Sequence, residues 1–429
     1  MTWRKIFRRC LIAFLIVIFL LSAAMVGAAV QIFDGKGQYI MSDFEKHDIA
    51  KQRSQQRAER DAQKKAGVAL KTFSRTINSE LADEEVSAVT NNIIKVSDVK
   101  IVPLSFEAEG ESGLMYRATL KATIDVEGIY TWIKRDDNEK IVIIQQNKDL
   151  QDAMTKNDEQ AEVLKAKYKL ATSESEKIQI RKQMDPLDRY FSAYYKNAEG
   201  DKLFYAGDYN EAIKLYGEAM QLCEYTLAYN GRACAYAELK QYERAIQDFD
   251  KALELNPNFY QAHFYRGNVH YYQRQYERAV QDYDNAIRLN PNDEAAYNNR
   301  GLAYQALQQY ERAVQDLSKS LKLKPNYDLA YKNRGIVYSN LKKYEQAIQD
   351  FDKAIQLNPN AYETYNCRCI AYVFLGNFNQ AIADATKALE LNPNDGVAYH
   401  LRGVCYQQLG DKSKAQADFA KAKEFGYNG

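Results

Sequence analysis

The sequence predicts a mainly α chain: a C-terminal α-solenoid preceded by an N-terminal membrane helix, a small α+β domain and a helical or coiled-coil spacer. Three observations carry this reading. Arginine recurs every 34 residues at Arg232, Arg266, Arg300, Arg334, Arg368 and Arg402. Aspartate keeps the same register at Asp248, Asp282, Asp316, Asp350, Asp384 and Asp418. Asn-Pro steps close several of the units, at Asn256-Pro257, Asn290-Pro291, Asn358-Pro359 and Asn392-Pro393. A fixed period of this length marks units that stack to bury a face none can bury alone.

The first element, residues 1–30, is expected to be a membrane anchor or a signal peptide. Arg4, Lys5, Arg8 and Arg9 precede an uncharged, mostly apolar run from Cys10 to Val30. At the helical rise such a run covers about 30 Å, the thickness of the hydrocarbon layer. The basic flank places the N-terminus in the cytoplasm and the bulk of the chain outside it, in the cell envelope or periplasm. The apolar core Leu11–Leu21 followed by Val26-Gly27-Ala28 also fits a cleavable leader.

Residues 31–144 have a mixed texture. Gly35 and Gly37 interrupt an extended start, and Asp48–Ala66 has the alanines and long polar residues of a helix, which Gly67 is expected to stop. Val68–Ile77 alternates like a strand, Asp83–Lys95 opens with acidic residues as a helix does, and Val99–Phe106 with Leu114–Val126 reads as a strand pair turning at Gly110–Gly113. Through Asp34-Gly35-Lys36-Gly37-Gln38-Tyr39, the alanines at 50, 58, 62 and 66, Gly67-Val68 and the strand from Tyr116 to Asp125, this segment resembles the small α+β domain of bacterial envelope proteins of the FlgT and LPP20 type. That resemblance implies a non-enzymatic docking domain. An unclassified α+β module is the alternative.

The spacer, 145–191, is charged and free of glycine. Leu150, Met154, Asn157, Ala161, Leu164, Tyr168, Ala171, Ser175 and Ile178 follow a 3,4 spacing, the seam of a coiled coil through which the chain could form a homodimer, or of a single helix packed on the repeats. Asp185-Pro186 is expected to end it.

The repeats occupy 192–429. Units start at Thr226, Tyr260, Glu294, Asp328, Tyr362 and Gly396, after a looser copy near Ala193. In each, a first helix carries Tyr-x-x-Arg-Gly-x-x-Tyr, as at Tyr297, Arg300, Gly301 and Tyr304, and a second carries an alanine, the aspartate and the closing step. Gly267, Gly301, Gly335 and Gly403, with Ala245, Ala279, Ala313, Ala347, Ala381 and Ala415, stand where helices must approach closely. The pattern resembles the tetratricopeptide repeat (TPR), in seven copies. Ala233 and Cys369 replace the glycine, Cys223-Glu224 the closing step of the first copy, and Lys412 an aromatic.

The arginine and aspartate ladders read most simply as partly buried ion pairs, since buried charges persist when paired. The tyrosines, 33 in all, mostly hold fixed repeat positions and pack before they bind. The resemblance implies a concave groove lined by first helices, placing Asn197, Asn230, Phe264, Asn298, Lys332, Asn366 and His400 at one groove position, and Asp201, Cys234, Asn268, Leu302, Ile336, Ile370 and Val404 at the next. Asparagine amides donate and accept, which suits an extended peptide backbone. Phe264, Tyr265, Tyr271 and Tyr272 form an aromatic cluster that could anchor a side chain. Lys332 stands out as a groove cation, which disfavours the family's carboxylate-clamp mode.

Composition narrows the rest. With 58 basic and 57 acidic residues the chain has no basic face for nucleic acid. Six cysteines and four histidines lack ligand spacing, so no metal and no cofactor is expected. Nor does a nucleophile motif or a phosphate-binding glycine loop appear, which argues against an enzyme. The leading expectation is a membrane-anchored extracytoplasmic scaffold or adaptor that binds protein or peptide partners in its groove. The alternative is a secreted or periplasmic ligand-sensing or enzymatic α+β domain with the repeats as a docking arm.

Overall fold

The computed structural model describes residues 32–41, 46–76, 94–108, 111–124 and 137–427. The chain divides into two compact units, 1–228 and 229–429, each described by itself.

In the first unit, strands β1 (Ile32–Ile40), β2 (Ile94–Ala108) and β3 (Glu111–Ile124) form an antiparallel sheet in the order β1-β3-β2. Tyr39 lies opposite Tyr116, and Leu104 opposite Met115. The register shifts between Ser97 and Lys100, where Asp98 takes a positive φ of 52°. Helix α1 (His47–Thr76) covers one face of the sheet. Alternation on β3 decides which face: Tyr116, Ala118, Leu120 and Ala122 are buried, whereas Arg117 and Lys121 are exposed. From α1, Ala50 packs with Tyr39 and Tyr116, and Ala58 and Ala62 pack with Ala118, Leu120 and Ala122, while Ala66 is buried as well.

Here the structure departs from the expected elements. Helix α1 runs through Gly67 to Thr76, so Val68–Thr76 is helical rather than a strand. A glycine inside a helix costs only about 1 kcal/mol relative to alanine, too little to stop one already nucleated by twenty residues of helix-forming sequence. The helix expected over 83–95 falls largely outside the described residues, and its end, from Ile94, belongs to β2.

The spacer is two helices. Helix α2 (Asp137–Leu170) and helix α3 (Glu174–Tyr205) are separated by a break at 171–173, after which Ser173 caps α3 by accepting from the Glu176 N–H at 3.2 Å. Part of the seam is covered from within the chain: Ala161, Leu164 and Ala171 pack with Ile180 and Met184, and with Tyr168 and Leu187 at the margin, while Ile178 is exposed. Asn157 Nδ2 donates to the Leu187 carbonyl at 3.1 Å. Pro186 does not end α3 but lies inside it. Packing of Met184 and Phe191 on either side outweighs the hydrogen bond that proline removes. Helix α3 also holds α1 through Asp188, which pairs with the buried Arg53 at 3.1 Å, while Phe191 lies under the same guanidinium at 4.9 Å.

The second half of α3 and helix α4 (Tyr209–Leu222) form the first, looser repeat. An added Cβ on Gly200 would sit 2.8 Å from the Tyr216 ring, the close approach that recurs in later units.

The expected membrane helix is withdrawn. Residues 1–30 lie outside the described residues, and among those described no helix is long and apolar enough to cross a membrane. The three longest, α1, α2 and α3, carry charges along their whole length, and a span needs roughly 20 consecutive apolar residues. Single-pass placement falls with that helix.

The second unit is a regular stack. Helices α5 (Thr226–Glu238), α7 (Tyr260–Tyr272), α9 (Glu294–Ala306), α11 (Asp328–Asn340), α13 (Tyr362–Phe374) and α15 (Gly396–Gln408) are the first helices of six repeats. Helices α6 (Tyr242–Leu255), α8 (Tyr276–Leu289), α10 (Tyr310–Leu323), α12 (Tyr344–Leu357), α14 (Phe378–Leu391) and α16 (Lys412–Glu424) are the second. From α6 to α14 each second helix stops two residues before a proline, as the missing N–H requires. Each turn within a repeat places one residue in the left-handed region: Lys240, Arg274, Gln308, Lys342, Gly376 and Gly410.

Glycine in the first helix admits the aromatic or leucine of the second. A Cβ on Gly335 would lie 2.6 Å from Phe351 Cε1, and one on Gly267 2.8 Å from Tyr283 Cε1. In the repeat starting at Tyr362 both partners change together: Cys369 replaces the glycine and Ala385 the bulky residue, and the two pack in one buried cluster. First helices of neighbouring repeats touch along the stack, α7 with α9, α9 with α11, α11 with α13 and α13 with α15. In a two-layered stack the layer with such contacts is the inner, concave one. At the C-terminal end, Phe425 stacks on Tyr399 at 5.7 Å and Tyr427 lies 4.5 Å from the His400 ring, so the tail covers the last first-helix.

Candidate partner-binding face

The two ladders meet. Arg232, Arg266, Arg300, Arg334, Arg368 and Arg402 each donate through Nε and Nη2 to both oxygens of Asp248, Asp282, Asp316, Asp350, Asp384 and Asp418 respectively, at 2.6–2.9 Å. The planar fork fits a carboxylate in this way, and lysine could not replace it. The remaining arm, Nη1, crosses to the preceding repeat. It reaches Asp250 from Arg266, Asp284 from Arg300 and Asp352 from Arg368, each at 2.5 Å, but the neutral hydroxyls of Ser318 from Arg334 and Thr386 from Arg402, at 3.0 and 3.3 Å. One guanidinium thus fastens three helices.

Burial works against the charge on Arg300, but its hydrogen bonds to Asp316 and Asp284 outweigh it and hold its pKa above the ordinary arginine value. Burial pushes Asp384 up in spite of Arg368. For Asp282, burial acts in the same direction, but His263 and Arg266 more than offset it and keep its pKa below the usual carboxylate value. Tyrosines complete most joints. Arg300 lies 5.5 Å from the Tyr297 ring and 5.8 Å from Tyr304, and Arg334 and Arg368 are flanked in the same way by Tyr331 and Tyr338, and by Tyr365 and Tyr372. Each ladder pair thus joins the two helices of its own repeat.

The asparagines of the first-helix face are joined to one another. Tyr283 donates its hydroxyl to Asn268 Oδ1 at 2.8 Å, and Asn299 Nδ2 donates to the same oxygen at 3.0 Å. Asn298 Nδ2 donates to Asn299 Oδ1 at 3.0 Å, and Asn333 Nδ2 to Asn298 Oδ1 at 2.9 Å. This relay crosses three repeats. Asn366 Nδ2 donates to Asp395, which caps α15 by accepting from the Val397 N–H. Asn298 and Asn366 are buried, and Asn230 is half-buried with its Oδ1 enclosed. Asn268, Asn298, Asn299 and Asn333 thus tie neighbouring first helices to one another. Lys332 is half-buried near Cys367, whose thiol burial pushes up to about 11 while Lys332 pulls the other way and Glu363 adds to the rise.

In the other unit, Asn197 Nδ2 donates to Asp201 Oδ2 at 3.0 Å and the Tyr216 hydroxyl to Asp201 Oδ1 at 2.7 Å. Burial raises the pKa of Asp201, opposed by the Tyr216 hydrogen bond.

The aromatic cluster of α7 divides in two. Phe264 and Tyr271 belong to the core around Ala279, Tyr283 and Ala303. Tyr265 and Tyr272 face outward, 41% and 68% exposed. Tyr272 lies flat over Tyr242 at 6.3 Å, as Phe374 does over Tyr344 at 5.0 Å, and Phe374 is 64% exposed. Leu329 and Val397 are exposed on other first helices. Tyr265, Tyr272, Leu329 and Phe374 were not singled out as a set by the groove register. The available signal was that Tyr272 and Phe374 end their first helices at the same repeat position, three units apart.

Comparison with known proteins agrees with the repeat geometry. The tetratricopeptide repeat family profile matches residues 226–259, 294–327, 329–361 and 362–395, a TPR repeat profile matches 267–308, and a further tetratricopeptide repeat profile matches 249–281 and 385–417. The mitochondrial import receptor subunit TOM70 of Homo sapiens is 39% identical over 93 residues, 20% of this chain and 15% of the receptor. Sperm-associated antigen 1 of Mus musculus is 34% identical over 86 residues, 20% of this chain and 10% of that protein. The match therefore spans a small part of these relatives. Among solved structures, a tetratricopeptide repeat protein from Parabacteroides merdae aligns with TM-score 0.47 and 23% identity, over 55% of this chain and 94% of that one. YrrB, described as a TPR protein with an unusual peptide-binding site, aligns with TM-score 0.36 and 23% identity, over 42% and 93%.

Proposed function

From a chain whose residues 226–417 are tetratricopeptide repeats and serve as a scaffold for protein interactions, we infer that the first-helix face of 229–429 holds an extended, largely uncharged segment of a partner protein. The carrying observation is the exposure of Tyr265, Tyr272, Leu329, Phe374 and Val397 on one helix layer, above a floor stiffened by the asparagine relay. Large exposed apolar groups gathered on one face mark an interaction site, and tyrosine and phenylalanine are effective anchors because they bring much area at little entropic cost. Lys332 and Glu363, of opposite sign, leave no basic clamp for an acidic tail. The import-receptor and peptide-binding descriptions of TOM70 and YrrB are in keeping with a protein ligand.

A random peptide library selected on the full chain supplies the test. Selected peptides should be poor in Asp and Glu, and should weaken by roughly tenfold or more on Tyr265→Ala with Tyr272→Ala, the loss of about 1.4 kcal/mol or more that an anchor carries. Unchanged affinity in that variant, with the fold intact, would remove the aromatic face from the account.

A further inference from the structure

The sixth and seventh repeats depart from the others at three core positions that lie against one another. Where the other second helices carry Phe249, Tyr283, Leu317, Phe351 and Phe419, α14 carries Ala385. A missing ring leaves a volume that costs stability unless something fills it. Here it is filled from both sides. Cys369 enters from α13, at the position where Gly267, Gly301 and Gly335 stand in earlier repeats, and Cys405 enters from α15, where the preceding first helices hold Ala303, Val337 and Ala371. Both cysteines are fully buried and pack with Ala381 and Ala385 in one cluster. Helices α13 and α15 touch along the stack, and the two thiols hydrogen-bond to each other. In earlier pairs of neighbouring repeats the same two positions hold glycine or alanine against alanine or valine, so this juxtaposition of sulfurs is particular to the sixth and seventh.

We propose that Cys369 and Cys405 are a disulfide site, which a small-molecule disulfide such as oxidised glutathione closes into a covalent staple between the first helices of the sixth and seventh repeats. One cysteine, as thiolate, attacks a sulfur of the oxidant and expels one glutathione thiolate; the second attacks the protein sulfur of that mixed disulfide and expels the other. Two electrons pass from the cysteine sulfurs to the oxidant, and the two thiol protons end on the two released glutathiones. Because both sulfurs are buried, the first attack requires local opening of the two repeats. Cys367, two residues away on α13, is no substitute: it faces the preceding repeat, in the cluster around Phe351. The staple closes a long loop of the unfolded chain, which is how a disulfide favours the folded state. It also fixes the spacing between α13 and α15, which carry Phe374 and Val397. Any effect on binding rests on the proposed partner face, and the disulfide does not.

The test refolds the reduced full chain in mixtures of reduced and oxidised glutathione, so that burial does not limit access, and measures the linked Cys369 and Cys405 peptides by mass spectrometry after alkylation and digestion. The same chain held unfolded in concentrated urea is the reference. The folded protein should favour the disulfide at least roughly 100-fold more than the unfolded chain does, the preference that a staple closing a loop of this length carries. By the same cycle the oxidised protein should melt roughly 5 °C or more above the reduced one. A variant with Cys10→Ser, Cys223→Ser, Cys234→Ser and Cys367→Ser keeps only the pair and should keep the preference, whereas Cys405→Ala should lose the rise in Tm. Equal preference in the folded and unfolded chains would overturn the site, as would linkage of Cys369 or Cys405 to a different cysteine. Should either variant fail to fold, the peptide linkage in the unsubstituted chain decides.

Discussion

Asp316→Ala is the sharpest perturbation of the ladder. Both oxygens of Asp316 accept from Arg300 at 2.7 Å, and the two side chains are only 10% and 18% exposed. Removing one member of a buried, bidentate pair leaves an incompletely compensated charge and costs about 3–5 kcal/mol. Asp284 still reaches Nη1 at 2.5 Å, so the lower end, about 3 kcal/mol, applies. For a unit of about 200 residues this corresponds to a fall in Tm of roughly 6–12 °C. A second variant separates charge from shape: Arg300→Met with Asp316→Leu removes both partners, and should recover most of the loss. Urea unfolding of the full chain, with amide exchange of α9 and α10 to locate the damage, measures both, because repeat arrays open locally as well as globally. A cost below about 1 kcal/mol for Asp316→Ala, the range of exposed ion pairs, would refute the idea that the ladder fastens the stack.

Two further substitutions test the packing. Gly335→Ala places a methyl 2.6 Å from the Phe351 ring and should destabilise by about 1–3 kcal/mol, read from the urea midpoint; adding Phe351→Ala, the combination seen at Cys369 and Ala385, should relieve the clash itself. Lys240, Arg274, Gln308 and Lys342 hold left-handed backbone at φ between 57° and 61°, where Gly376 and Gly410 stand in later repeats. Replacing all four by glycine should raise stability by about 0.5–1 kcal/mol each, visible as a higher Tm in calorimetry. Ser318→Asp supplies the carboxylate that Arg334 Nη1 lacks and should stabilise by up to about 1 kcal/mol at low salt, an effect that added salt weakens.

How far the sequence could be read varies along the chain. The repeats were legible to the level of single residues, because Asn-Pro steps, glycines and alanines each impose a local constraint and the period multiplies it six times. The strand pair of the first unit was legible from its alternation. The continuation of α1 past Gly67 was not, since Val68 to Thr76 fits either period and a single glycine is too weak a stop for a helix already formed. The break after Leu170 was hidden for a related reason: a 3,4 seam reads alike whether its partner is another chain or the next helix of the same chain. Among the face residues, position alone placed asparagines in the groove. It could not tell that Asn268, Asn299, Asn298 and Asn333 bond to one another, because that depends on the spacing between neighbouring repeats. Nor could it separate half-buried Phe264 and Tyr271, packed on the core, from exposed Tyr265 and Tyr272.

The central claim is that partners meet the first-helix layer. It is tested most directly by placing a photoreactive phenylalanine analogue at position 272 or 374 of the full chain and, as controls, at the exposed second-helix positions 312 and 353. Irradiation with a library-selected peptide should give crosslinks from 272 and 374 and none from 312 or 353. Crosslinks from the second-helix positions alone would contradict the account.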